Sequence, residues 1–219
     1  MSDIWRLYLI SPPTIRDALQ FAEEFRAAVD AGGVASFQLR LKDRSGTPAA
    51  DDEILLHADI LLPIARAHDV AFLMNDRPDL AKKTGADGVH VGQSDVSCRQ
   101  ARAVLGDGAI VGVTCHDSRH LALLAGEAGA DYVAFGAFFP TATKDAPTCA
   151  EPEILSWWRD ATVLPSVAIG GITPENCGPL VAAGADYIAA SSAVWAHESG
   201  AAAAVRAFAE AIARAKEAQ

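Results

Sequence analysis

The stretch Thr84-Gly-Ala-Asp-Gly-Val-His-Val-Gly92 recurs along the chain as Ala128-Gly-Ala-Asp-Tyr-Val-Ala-Phe-Gly136 and as Ala183-Gly-Ala-Asp-Tyr-Ile-Ala-Ala-Ser191. In each copy a glycine closes a helical segment, a short polar turn follows, and an apolar run of strand length comes next. The sequence therefore repeats one unit of helix, turn and strand. The repeat predicts a fold in which helices and strands alternate.

Working outward from the repeat, eight apolar runs of strand length alternate with amphipathic helical segments. Leu19, Ala22, Phe25 and Val29 show the spacing of one helix face. The predicted strands are Arg6–Ser11, Ser36–Leu41, Ala71–Met74, Gly88–Val91, Ile110–Thr114, Tyr132–Phe135, Ser166–Ile169 and Tyr187–Ala190. The predicted helices are Arg16–Ala31, Asp51–Ala67, Pro78–Thr84, Cys98–Leu105, Ser118–Ala128, Glu151–Asp160, Glu175–Ala183 and Gly200–Glu217.

Strictly alternating strands and helices with short helix-to-strand turns predict an α/β fold, a single (β/α)8 TIM barrel. The alternative is an open, doubly wound sheet. It lacks its usual support, because no Gly-x-Gly-x-x-Gly follows the first strand. No linker or low-complexity stretch interrupts the chain, so we expect one TIM-barrel domain over residues 1–219.

Composition excludes several classes of function. The net charge is −10 and no basic block occurs, which argues against nucleic acid as a partner. No apolar run approaches the roughly 18 to 20 residues needed to cross a bilayer, and no secretory signal is recognisable, so we expect no membrane association and a cytoplasmic location. The four cysteines match no metal or disulfide spacing and are expected to be free thiols. An acidic chain that binds anions must concentrate its basic groups at one site.

Polar residues gather where the predicted strands end, which is where barrel enzymes carry their active sites. In strand order they are Gln38, Arg40 and Lys42; Asn75 and Asp76; His90, Gln93 and Asp95; Thr114 and His116; Thr141, Thr143 and Lys144; Gly170 and Gly171; Ser191 and Ser192.

Gln38, Arg40 and Lys42 alternate along their strand, so their side chains point to one side of it. Phe37, Leu39 and Leu41 supply the apolar face. We interpret the polar set as facing the barrel interior, where it needs anionic or hydrogen-bonding partners. The alternative is a solvated strand edge.

Asp76 and Asp95 stand at the ends of the neighbouring third and fourth strands. Two carboxylates, substrate phosphate oxygens and water make an ordinary Mg²⁺ site. The alternative is that each aspartate caps the helix that follows it. Both together, beside a phosphate-binding set, favour the metal.

Further groups suit phosphate. Thr141, Thr143 and Lys144 offer two hydroxyls and an ammonium group after the sixth strand, and Gly171 with Ser191 and Ser192 follows the seventh and eighth strands, where barrels commonly bind phosphate. The alternative for Thr141, Thr143 and Lys144 is an ordinary turn. The alternative for Gly171 is that glycine only allows tight packing where the strand ends. We interpret His90 as a charge partner rather than a general base, and His116 as a loop donor.

These residues resemble the thiamine phosphate synthase family from about Leu7 to Val194. The resemblance rests on Gln38-Leu-Arg-Leu-Lys42, Asn75-Asp76-Arg77, Gly88-Val-His-Val-Gly-Gln-Ser-Asp95, Pro140-Thr-Ala-Thr-Lys144 and Ala168-Ile-Gly-Gly-Ile172. It implies an enzyme of thiamine biosynthesis that couples a hydroxymethylpyrimidine pyrophosphate to a thiazole phosphate, two small phosphorylated heterocycles, with Mg²⁺ as cofactor.

The resemblance also implies residue roles. Gln38, Arg40, Lys42, Asn75 and Thr114 would hold the pyrimidine pyrophosphate, with Lys144 on its phosphates and His90 beside it. Arg40, Lys42 and Lys144 would stabilise the leaving pyrophosphate, and Asp76 and Asp95 would bind Mg²⁺. Thr141, Thr143, Gly171, Ser191 and Ser192 would hold the thiazole and its phosphate. The family usually has Ser at the position of Thr114 and Pro at that of Ala137.

Two alternatives stay open. One is a tautomerase of the same superfamily, which would isomerise a thiazole carboxylate phosphate and would lack the paired aspartates. The other is a non-catalytic protein that binds thiamine phosphates, for which the sequence offers no interaction tail. A homo-oligomer stays open as well, because the sequence does not fix the number of subunits.

Overall fold

The predicted barrel is confirmed. A computed structural model describes residues 7–43, 45–141 and 149–218, so Thr143 and Lys144 lie outside the described residues. Eight parallel strands pair in chain order, and β8 pairs with β1 to close the sheet. The strands are β1 Leu7–Ile10, β2 Val34–Leu39, β3 Ala71–Asn75, β4 Gly88–Val91, β5 Ile110–His116, β6 Tyr132–Phe135, β7 Ser166–Ala168 and β8 Tyr187–Ala190.

The helices surround this barrel. They are α1 Ala18–Asp30, α2 Asp51–Ala67, α3 Pro78–Thr84, α4 Cys98–Leu105, α5 Arg119–Glu127, α6 Glu153–Ala161, α7 Gly178–Ala183, α8 Ser192–Trp195 and α9 Ala201–Glu217. In the described part of the chain, none is long and apolar enough to span a membrane.

Helix α1 illustrates why these segments form where they do. The side chain of Asp17 accepts hydrogen bonds from the backbone N–H groups of Leu19 and Gln20, which starts the helix. Phe25 is fully buried, and its ring lies 4.3 Å from that of Phe37 on β2, measured between centroids. The apolar face of α1 therefore packs on the outer face of the barrel.

The repeated Gly-Ala-Asp has a structural cause. Asp87 accepts a hydrogen bond from the backbone N–H of Phe72 at 2.7 Å, and its own N–H donates to the Phe72 carbonyl. Asp131 makes the same pair of bonds with Val111, and Asp186 accepts from the N–H of Ser166. Each aspartate precedes an even-numbered strand and holds the start of the odd-numbered strand before it, at the amino end of the barrel.

The barrel interior has its own small core, which is separate from the larger core between barrel and helices. Because side chains alternate across a strand, every second residue points inward. The buried members of this interior apolar cluster are Tyr8, Ile10, Leu73, Tyr132, Ala134, Val167 and Ala189.

Several element boundaries differ from the prediction by one to three residues, and one short helix was not predicted. Strand β2 ends at Leu39, so Arg40 and Leu41, predicted in the strand, follow it. Strand β5 runs two residues further, to His116. The short helix α8 was not predicted, because four residues carry no periodicity that can be recognised in a sequence.

Candidate active site

One cavity of about 660 Å³ opens among the carboxyl ends of the strands. Its walls bring together every predicted site residue that the structure describes, although these residues come from seven strands or the loops after them. They are Gln38, Arg40, Lys42, Asn75, Asp76, His90, Asp95, Thr114, Thr141, Gly171, Ser191 and Ser192.

The basic wall of the cavity carries Arg40 and Lys42, so the interior placement predicted for this strand is correct and the solvated-edge alternative is wrong. Nη1 of Arg40 is buried and has no hydrogen-bond partner among the described residues. Burial lowers the pKa of Arg40, and the nearby charges of Asp76 and Asp95 oppose that shift. A buried guanidinium N–H that no described residue accepts is suited to bind an anion.

The acidic wall carries Asp76 and Asp95. Oδ2 of Asp76 accepts a hydrogen bond from Nζ of Lys42 at 2.7 Å, and Oδ2 of Asp95 accepts one from the N–H of Gly92 at 2.9 Å. Burial raises the pKa of Asp95, and hydrogen bonding to and repulsion from Asp76 raise it further. The two carboxyl groups therefore interact directly.

The helix-cap alternative for these aspartates is wrong. Helix α3 is preceded by Arg77 and has no side-chain cap, and helix α4 is capped by Ser97, whose side chain accepts from the N–H of Gln100. Asp76 also has a left-handed φ of 60°, which turns it away from the helix path.

The donor set fits Mg²⁺ that is shared with a substrate. The described residues contain no group of three or more His, Cys, Asp or Glu side chains placed to hold a metal ion. Mg²⁺ is commonly held by one or two carboxylates while substrate phosphates and water complete its shell. Asp76 and Asp95 provide that pair, beside two cationic side chains suited to the same phosphates.

The opposite wall is formed by two loops in close contact. Gly171 has a φ of 63°, and a Cβ placed there would lie 2.3 Å from the carbonyl oxygen of Pro140. Only glycine therefore lets the loop after β7 approach the loop after β6, which carries Thr141. Asn176 stabilises the loop after β7, since its Nδ2 donates to the carbonyl of Gly171 at 3.0 Å. Ser191 donates to the carbonyl of Ser11 and Ser192 begins α8.

A set of hydrogen-bonded polar groups in the barrel interior adjoins the cavity. Ring nitrogens of His90 lie 2.8 Å from the Tyr132 hydroxyl and 2.7 Å from Oγ1 of Thr114. The Tyr132 hydroxyl lies 2.9 Å from that of Tyr8, which donates to Oε1 of Gln38. Sequence reasoning missed both tyrosines, because a tyrosine inside an apolar strand gives the same signal as any core aromatic.

Further lining residues surround this set. Nε2 of Gln93 donates to the carbonyl of Thr114 at 2.6 Å, and His116, with a φ of 54°, ends β5 at the cavity. Asp43 and Gly46 line the cavity from the loop after β2. All four cysteines are free, as predicted, and burial raises the pKa of Cys115 to about 12, which does not suit a thiolate nucleophile.

The fold and this cavity define a class: a TIM-barrel protein whose site, at the carboxyl ends of the strands, combines cationic side chains with a carboxylate pair. Comparison with known proteins gives the family. A sequence profile described as "Thiamine monophosphate synthase" matches residues 7–194. The chain belongs to the thiamine monophosphate synthase family.

Individual relatives agree with this membership. The chain is similar to the thiamine-phosphate synthase of Rhodospirillum centenum, with 59% identity over 93% of this chain and 95% of that one. It is similar to the thiamine-phosphate synthase of Erythrobacter litoralis, with 52% identity over 96% of each. A solved structure, the thiamine phosphate pyrophosphorylase of Pyrococcus furiosus, has a TM-score of 0.83 and 29% identity, covering 97% of this chain and 98% of that one.

Proposed function

We propose that this chain is a thiamine phosphate synthase, a transferase that couples 4-amino-2-methyl-5-hydroxymethylpyrimidine pyrophosphate to 4-methyl-5-(2-hydroxyethyl)thiazole phosphate. The products are thiamine phosphate and pyrophosphate. The observation that carries the proposal is the buried Nη1 of Arg40, a residue that lines the cavity together with Lys42 and the carboxylate pair. This arrangement suits a pyrophosphate that leaves together with a divalent cation.

The charge on the pyrophosphate leaving group determines the role of Arg40 and Lys42. When the bond between the pyrimidine methylene carbon and the pyrophosphate oxygen breaks, both electrons go to the oxygen. Arg40 and Lys42 stabilise the negative charge that develops there, and a partly buried guanidinium does so more strongly than an exposed one because water screens it less. Lys144 would add a third cation in the same role; it lies outside the described residues.

Asp76 and Asp95 would hold Mg²⁺, which supplies a positive charge for the pyrophosphate oxygens. Burial raises the pKa of Asp95, and repulsion between the two carboxylates adds to this effect. Lys42 already neutralises part of this charge through its ion pair with Asp76. The aspartates therefore gain most from a bound cation when an anionic substrate brings further oxygen ligands.

The second substrate would bind on the opposite wall. Thr141, Gly171, Ser191 and Ser192 lie together there, and Thr143 belongs to the same proposal outside the described residues. Departure of pyrophosphate leaves a carbocation that the aminopyrimidine stabilises, and the thiazole nitrogen donates its electron pair to form the new C–N bond. No proton transfer and no protein nucleophile are needed, in keeping with the raised pKa of Cys115.

The test is coupling by the purified full chain, given both substrates and Mg²⁺. We expect Mg²⁺-dependent release of pyrophosphate, with thiamine phosphate identified by mass. Asp76→Ala should lose the activity, whereas Asp59→Ala, on the exposed face of α2, should keep it. Isomerisation of a thiazole carboxylate phosphate without coupling would overturn the proposal in favour of a tautomerase. Binding of thiamine phosphate without turnover would make the protein a binder.

A further inference from the structure

A continuous chain of hydrogen bonds joins one residue from each of the strands β1 to β6, and both of its end residues line the cavity. Its members are Thr114, His90, Tyr132, Tyr8, Gln38 and Asn75, and successive polar atoms lie 2.6 to 2.9 Å apart. Tyr8, Gln38, His90 and Tyr132 are each at most 7% exposed. The two tyrosines have no place in the proposed substrate-binding set.

We propose that Tyr8 and Tyr132 are positioning residues: they make every hydrogen bond from Thr114 to Gln38 donate in one fixed direction, and they hold His90 as the tautomer protonated on Nδ1. The direction follows from counting protons. A phenol has one proton to donate, an amide oxygen can only accept, and a neutral imidazole donates from one nitrogen and accepts at the other.

The count begins at Gln38. Its Nε2 donates to Oδ1 of Asn75, so its Oε1 is the atom that faces Tyr8 and must accept the single Tyr8 proton. The Tyr8 oxygen can then only accept, and the Tyr132 proton is used on it. Burial raises the pKa of both phenols, so each keeps its proton at neutral pH.

The same count fixes His90. Because the Tyr132 proton already points to Tyr8, the Tyr132 oxygen accepts from His90, and Nδ1 of His90 must carry the proton. In the neutral ring Nε2 is then an acceptor, and the hydroxyl of Thr114 donates to it. The hydrogen bond at one ring nitrogen thus sets the state of the other.

The direction of these hydrogen bonds determines what the two end residues, Thr114 and Asn75, offer to a ligand in the cavity. Thr114 has used its proton, so its oxygen offers only lone pairs to a ligand. Asn75 has used its carbonyl oxygen, so its Nδ2 is left to donate. An aminopyrimidine, with a donating amino group next to an accepting ring nitrogen, complements this pattern, and a 4-oxo analogue presents the reverse. This recognition step rests on the proposed function, whereas the tautomer does not.

The tautomer can be tested without substrate. We expect the ¹⁵N spectrum of the histidine-labelled full chain to show a protonated Nδ1 and an unprotonated Nε2 for His90, assigned by the signal that disappears in His90→Gln. A protonated Nε2 would reverse the chain and overturn the proposal. A protein that shows the expected tautomer but does not couple the substrates overturns the proposed function alone.

Recognition is tested by Tyr132→Phe, which removes one hydroxyl and keeps the ring. We expect the KM for the pyrimidine pyrophosphate to rise about tenfold, the cost of roughly one hydrogen bond, with the KM for the thiazole phosphate unchanged. The preference for the amino substrate over a 4-oxo analogue, measured by competitive inhibition, should fall by a similar factor.

The matched control is Tyr187→Phe, because Tyr187 packs against the same interior cluster but is not a member of the chain. We expect it to change neither KM nor the preference. Tyr8→Phe provides a second variant should Tyr132→Phe not fold. An unchanged preference in a folded Tyr132→Phe or Tyr8→Phe protein would overturn the positioning role.

Discussion

Nζ of Lys42 lies 2.7 Å from Oδ2 of Asp76, so a cation from the loop after β2 neutralises a carboxylate at the end of β3. Both side chains are largely buried, with 22% and 18% exposed. The pair therefore holds a basic and an acidic member of the site in register before any ligand arrives.

Removing the cation of this pair tests its contribution. We expect Lys42→Gln to raise the KM for the pyrimidine pyrophosphate by about 10- to 100-fold, since a hydrogen bond to a charged group contributes roughly 1.5–3 kcal/mol. Steady-state pyrophosphate release measures this. Lys82→Gln, on the exposed side of α3, is the control, and equal kinetics in the two variants would contradict the role of Lys42.

The guanidinium geometry of Arg40 gives a second prediction. Arg40→Lys keeps the charge but removes the planar set of donors that includes the buried Nη1. We expect kcat/KM for the pyrimidine pyrophosphate to fall by about tenfold or more. Arg206→Lys on the exposed face of α9 should leave it unchanged. Full activity in Arg40→Lys would mean that charge alone is sufficient.

Repulsion between the two aspartates predicts opposite effects on stability and activity. Asp95→Asn keeps an oxygen that can accept from the Gly92 N–H but removes one negative charge. In Mg²⁺-free buffer we expect its Tm to rise by about 2 °C, since solvent screening keeps the gain near 0.5–1 kcal/mol. Coupling should fall at least about a hundredfold, as expected for a lost charge-stabilising group. A lower Tm than that of the parent protein would contradict the repulsion.

Contact between the two loops predicts a steric effect at Gly171. Gly171→Ala places a Cβ 2.3 Å from the Pro140 carbonyl oxygen, so the loop must move away from Thr141. We expect the KM for the thiazole phosphate to rise at least about tenfold, since a displacement near 1 Å can cost much more. Gly32→Ala is the control, because Gly32 also has a positive φ but meets no described atom within 4 Å. Both variants should lose about 1–2 kcal/mol from backbone strain.

A pH effect is expected at the surface, where His68 joins the ends of α1 and α2. A hydrogen bond to the Ile64 carbonyl raises the pKa of His68, and Asp30, 2.7 Å away, raises it further. A histidine whose pKa is higher in the folded than in the unfolded protein stabilises the fold. This stabilisation is fully present below the ordinary pKa of about 6.5 and is lost as the pH rises through the pKa of the folded state. The Tm of the parent protein should exceed that of His68→Gln by about 1–2 °C more at pH 6 than at pH 9. A constant difference would contradict this.

Much of the fold was predictable because the barrel repeats its local signals. Each Gly-Ala-Asp places a glycine at the end of a helical segment and an aspartate just before an apolar strand, and β4, β6 and β8 have the predicted bounds. The cavity-lining residues were predictable for a related reason: in a parallel barrel, all strand ends meet at one rim.

The hydrogen-bonded polar set next to the cavity was not predictable in the same way. The partnership of Tyr8 with Tyr132 joins residues 124 positions apart, and it depends on how two inward side chains meet across the barrel interior. The end of β2 at Leu39 likewise depends on pairing with its neighbours, which local sequence does not encode.

The aspartates of the three Gly-Ala-Asp units hold strand starts at the rim opposite the cavity. The contacts that stabilise the barrel at its amino-terminal rim are therefore separate from the candidate active site at its carboxyl-terminal rim. Side chains and loops at the rim that carries the cavity can therefore change without loosening the barrel. Conversely, substitutions that raise thermal stability can be made at the amino-terminal rim without changing a residue of the candidate active site.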